Sequence, residues 1–75
     1  MPTVHDFGGF KITMYFDDDN PPHFHIVTPN EEAKVRIDDL TIFRGSVKAA
    51  VRRRALAWAE ANRALLWETW REYSE

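Results

Sequence analysis

Apolar and polar residues alternate through the first half of the chain and recur at three and four through the second. In residues 9–16, Phe10, Ile12, Met14 and Phe16 fall on one side, with Lys11, Thr13 and Tyr15 on the other. Period two is the pattern of a half-buried strand. Asp17-Asp18-Asp19-Asn20-Pro21-Pro22 interrupts it with turn residues,. Alternation resumes with Phe24 and Ile26 inward and His23, His25 and Val27 outward. After a turn at residues 28–31, Ala33, Val35 and Ile37 point inward against Lys34 and Arg36. Asp38-Asp39 reads as a two-residue hairpin turn, with a short fourth strand at residues 40–43. Such brief connections predict three or four antiparallel strands in meander order.

From Ser46 the period changes. Residues 46–75 contain neither Gly nor Pro and are rich in Ala, Leu, Arg and Glu, all of which favour helix. Ser46 is the expected N-cap. Val47, Val51, Ala55, Trp58, Asn62, Leu65 and Thr69 form one stripe, which should cover the apolar face of the sheet. The expected fold is α+β: one domain over residues 1–75, with a sheet portion at 1–44 and a helical portion at 45–75 packed on one face. An unbroken helix would run roughly 40 Å, more than a small sheet needs. Leu56, Trp67 and Trp70 lie off the stripe. Either the helix breaks near Asn62 and folds back, or these residues present a second apolar face to a partner.

Composition narrows the function. The 75 residues, without cysteine, leave no thiolate metal site or disulfide framework. A net charge of −2 argues against simple electrostatic binding to nucleic acid. No apolar run is long enough to cross a bilayer, and the start lacks the character of a secretion signal. The expectation is a cytoplasmic protein without membrane contact. Arg52-Arg53-Arg54 fan over most of a helical turn and read as a solvated face, with a phosphate backbone or acidic partner as the alternative.

The chemistry centres on Pro21-Pro22-His23-Phe24-His25. Residues two apart on a strand point the same way, so the imidazoles of His23 and His25 stand side by side. Imidazole is the commonest metal ligand and titrates near neutral pH. A zinc site needs at least a third ligand; Asp19, Asp18 and His5 are the candidates, and spacing selects none. No other cofactor is implied. A second reading joins His23, His25, Tyr15 and Arg36 as acid, base and cation for RNA strand cleavage. The plainest reading is structural, since the prolines fix an extended entry into the strand.

The tract Pro21–His25, with Tyr15 upstream and Trp58 in the helix, resembles the bacterial domain of unknown function 4160. The resemblance takes in the start of the chain, residues 11–26 and 32–37, a following Gly and residues 53–70. The family commonly carries Asp-His where this chain has Asp18 and Asp19, so a histidine is replaced by aspartate. The resemblance implies a small bacterial protein, often encoded beside another small protein, in a toxin–antitoxin-like pair. It supplies no activity. The leading expectation is therefore an interaction component of such a unit, contacting a second copy or the neighbouring protein through Leu56, Trp67 and Trp70. An RNase-like toxin and a metal-binding module using the histidines are the alternatives.

Overall fold

The structure, a computed structural model, describes residues 3–15 and 21–74. Phe16, Asp18 and Asp19 lie outside the described residues. Five strands form one antiparallel sheet in meander order: β1 (Thr3–Asp6), β2 (Lys11–Thr13), β3 (His23–Val27), β4 (Glu32–Arg36) and β5 (Ile42–Ser46). Two helices follow, α1 (Ala49–Ala61) and α2 (Arg63–Ser74). The α+β class and meander hold, with five strands in place of three or four, and the helical portion is the broken form, two helices, in place of one long helix.

The added strand, β1, contains a single aliphatic residue, Val4, and so lacks the alternation that marks a strand. It is held by pairing with β2, His5 opposite Ile12 and Asp6 opposite Lys11. The intervening turn closes through the Phe7 N–H donating to the Phe10 carbonyl at 2.8 Å. Gly8 adopts φ +101°, and its N–H donates to the Asp6 carboxylate at 2.8 Å. The β4–β5 connection is longer than the expected Asp38-Asp39 turn. The Arg36 N–H donates to the Thr41 carbonyl and the Leu40 N–H to the Arg36 carbonyl, leaving Leu40 at φ 58°.

Ser46 is not the helix cap. It is the last residue of β5, paired with Glu32, so the sheet extends past residue 44 and the helix starts at Ala49. Lys48 occupies the N-cap position without a side-chain cap. Its N–H instead donates to the Glu31 carboxylate at 3.2 Å, which brings negative charge to the helix N-terminus.

The helix does break near Asn62. The Asn62 N–H bonds the Ala59 carbonyl, tightening the last turn, while its side-chain amide donates to the Trp58 carbonyl at 2.9 Å. A straight helix from Ala49 to Ser74 would need about 39 Å, and the molecule measures only 32 × 22 × 22 Å. Arg63 fixes the start of α2 by donating to the Asp38 carbonyl at 2.9 Å and to Glu60 at 2.8 Å.

The buried stripe differs from the expected one. Phe10, Ile12, Met14, Phe24, Ile26, Ala33, Val35 and Ile37 from the sheet side meet Val47, Ala55, Ala59, Leu66 and Trp70. Leu65, expected inside, is 42% exposed, and Trp70, expected to face a partner, is only 7% exposed. Ala55, Ala59, Leu66 and Trp70 recur at four, seven and four, so they share one helical face, which runs a residue later than the expected line through Trp58, Leu65 and Thr69,. Arg54 is likewise not simply solvated, since its guanidinium lies over the rings of Phe7 and Phe10 at 5.6 and 5.4 Å.

Candidate functional site

Strand register assembles the histidine face. Thr13, His25, Lys34 and Arg44 form one cross-strand row, and His23 is opposite Arg36 in the next. Phe24 and Ile26 point to the other side, into the core. The sequence reading placed the histidines and Thr13 on a wet outer face. They are buried instead, His23 at 2% exposure, His25 at 4% and Thr13 at 0%. Alternation identifies the apolar side of a strand, but it cannot show that the other side is also covered.

The covering comes from distant rings. Tyr15 meets His25 edge-on with centroids 4.5 Å apart. Phe43 meets His23 edge-on at 5.4 Å, and Trp70 of α2 lies 5.5 Å from the same imidazole. The two imidazoles are 5.1 Å apart and tilted by 55°. Of the four residues grouped for acid–base chemistry, His23, His25 and Tyr15 are thus brought together.

Arg36 stands in register with His23, but its guanidinium is turned to Asp38. Nε and Nη2 donate to that carboxylate at 3.3 and 3.1 Å. The Asp38 hydrogen bond, reinforced by the charges of Asp38 and Asp39, raises the Arg36 pKa above its ordinary value. In the same turn the Thr41 hydroxyl and N–H both donate to Asp39 and hold its carboxyl below the usual value.

Hydrogen bonding sets the histidine tautomers. The His23 Nδ1 lies 2.7 Å from the Pro21 carbonyl. A carbonyl can only accept, so this nitrogen carries the proton. The His25 Nδ1 is 2.8 Å from the Glu32 carboxylate and donates to it. In both neutral rings Nε2 is then the unprotonated nitrogen. A carboxylate on one imidazole nitrogen orients the ring and strengthens the other as a base or ligand. Glu32, half exposed, was missed from the sequence. It is seven residues beyond His25, and only the β3–β4 register brings it alongside.

The proposed third metal ligands do not join the pair in the described structure. His5 is in register with Ile12 and stacks on Trp58 of α1 at 4.9 Å, on the helix side of the sheet. Asp18 and Asp19 lie outside the described residues. Among the described residues, no group of three His, Cys, Asp or Glu side chains is placed to hold a metal ion.

Two cavities lie at the other end of β3. One of about 330 Å³ is lined by the β1–β2 turn with Val27, Thr28 and Pro29. A second, of about 440 Å³, runs from Gly9, Thr28 and Pro29 to Lys48 and Val51. Neither includes a histidine. Among the described residues, no helix is long and apolar enough to cross a membrane.

Neither curated proteins nor solved structures give a match to the chain. The family model described as domain of unknown function DUF4160 matches residues 9–71. That span holds β2 to β5, α1 and most of α2, with both histidines, Tyr15, Glu32 and Trp70, and the chain belongs to the DUF4160 family.

Proposed function

We propose that the protein is an interaction module, one member of a toxin–antitoxin-like two-protein unit, with the helical half making the contact. The observation that carries this reading is the enclosure of the histidine pair. Both imidazoles are almost fully buried, and each is bonded through Nδ1 to a neighbour in its own hairpin. Such a pair holds a strand in place more readily than it meets a substrate. The contact surface differs from the one expected from sequence. Trp70 belongs to the core, whereas Leu65 points outward from α2 and Leu56 and Trp67 are half-buried.

Co-expression with the product of the neighbouring gene tests this. His23→Gln/His25→Gln should still capture that product, while Leu65→Glu should lose it without losing the fold. Loss with the histidine variant alone, its circular dichroism unchanged, would sink the reading. Light scattering of wild type and Leu65→Glu applies the same test to self-association.

The 2.8 Å contact between His25 and Glu32, with Tyr15 against the ring, favours a second reading, an acid–base centre acting on RNA. It requires RNA cleavage by wild type that His25→Gln abolishes and that Glu32→Gln reduces. A wild type inactive on RNA refutes it.

A further inference from the structure

The cations of the histidine face are not equally neutralised. Arg36 is bonded to Asp38. Lys34 and Arg44, by contrast, stand directly opposite one another on β4 and β5. Neither makes an ion pair among the described residues. Like charges directly opposite across an antiparallel pair are destabilising. Among the described residues no carboxylate pairs with either cation of this row. A local rule broken without internal compensation marks a surface used for something other than folding.

The neighbouring residue supplies a second observation. The β4–β5 pairing shifts register between Lys34 and Val35, which places Phe43 at an irregularity beside Arg44. Its ring meets His23 by its edge yet remains 40% exposed. Two cations without an ion pair among the described residues therefore adjoin one wet aromatic ring.

We propose that Lys34, Arg44 and Phe43 form a docking site for a short acidic segment of a partner protein, with a carboxylate between the two cations and an apolar side chain against the ring. Charge complementarity favours a short peptide over a nucleic-acid strand. Glu32 lies two residues from Lys34 along β4, about 7 Å away, and Asp38 and Asp39 close the other end. Glu32 is thus within the screening length of about 8 Å at physiological salt, and Asp38 and Asp39 lie further along the same face. A repeating polyanion would run into them, whereas a segment with one or two carboxylates would not. The site is independent of the helical contact proposed above.

The test uses a fluorescein-labelled hexapeptide of glutamates with one central leucine. Its controls are the glutamine analogue and a hexauridylate. Anisotropy is read at low salt, and amide shifts of Phe43 and Arg44 locate the site. Wild type should bind the acidic peptide, with Lys34→Gln/Arg44→Gln weaker by about tenfold and Phe43→Ser weaker as well. Arg53→Gln and Leu65→Glu should match wild type, so this site and the helical contact fail separately. Arg44→Gln should also melt no lower than wild type, because it removes a repulsion. Absence of peptide binding, equal binding of the glutamine analogue or the double variant, or tighter binding of the hexauridylate would each overturn the proposal.

Discussion

Substituting Gly45 by alanine tests whether β5 is held against β4 as closely as the register implies. Gly45 has φ +76°, and a Cβ built there would overlap the Glu32 carbonyl oxygen and come within 3.3 Å of the Ala33 Cα. Two effects add. An L-residue in the left-handed region costs about 1–2 kcal/mol, and forcing backbone apart in a packed region costs about 1–3 kcal/mol more. The obstructing atoms are main chain, so no side-chain rotation relieves them. Gly8 provides the control, with φ +101° and nothing within 4 Å of its added Cβ. Gly8→Ala should lose the conformational part alone, while Gly45→Ala loses both. A domain of this length holds roughly 4–11 kcal/mol of stability, so Gly45→Ala removes a large share. At about 4–8 °C per kcal/mol, its melting point should fall by at least about 10 °C, clearly more than that of Gly8→Ala. Thermal and urea unfolding followed by circular dichroism provide the measurement. Equal losses in the two variants would refute the close approach.

Two other substitutions probe the histidine face and the turn beside it. The Thr13 hydroxyl is fully buried without a hydrogen-bond partner among the described residues, so Thr13→Val should be neutral or stabilising by about 1 kcal/mol. A urea midpoint lowered by more than that amount would show that the hydroxyl is bonded. Asp39, whose folded pKa is lowered chiefly by the Thr41 hydroxyl, contributes stability that is present above its ordinary value of 3.8 and fades as pH falls through the folded value. Between pH 7 and the acid side of that window, wild type should therefore lose more stability than Asp39→Asn; parallel losses would contradict the assignment.

The parts of this fold that were legible in the sequence are those where one residue's neighbours along the chain decide its fate. Ile12, Met14, Phe24, Ile26, Val35 and Ile37 alternate, and all are buried. The boundary between sheet and helical half was misplaced by a few residues, because Ser46 suits an N-cap and a strand end equally and its pairing with Glu32 decided the matter. The break at Asn62 had a weaker signal, namely that a continuous stripe left Trp67 and Trp70 outside. The histidine environment was the least legible part. Local alternation makes His23 and His25 an outer pair, yet Trp70, 47 residues after His23 in the chain, reaches that imidazole and helps close the face.

This distant closure bears directly on function. In an open sheet, the His25–Glu32 pair would be the natural centre of chemistry, and Lys34 and Arg44 would be its electrostatic surroundings. With the rings packed beneath Tyr15, Phe43 and Trp70, the order is reversed. The histidines brace the central strand, and the groups on this face that stay at least partly exposed include Lys34, Arg44 and Phe43 of the docking site proposed above. A strand buried on both faces gives them a rigid support, so little ordering of the site itself is required when a ligand binds. The Pro-Pro-His-Phe-His tract then acts at one remove. It holds β3 against β4, and β4 in turn sets the spacing of Lys34 and Arg44.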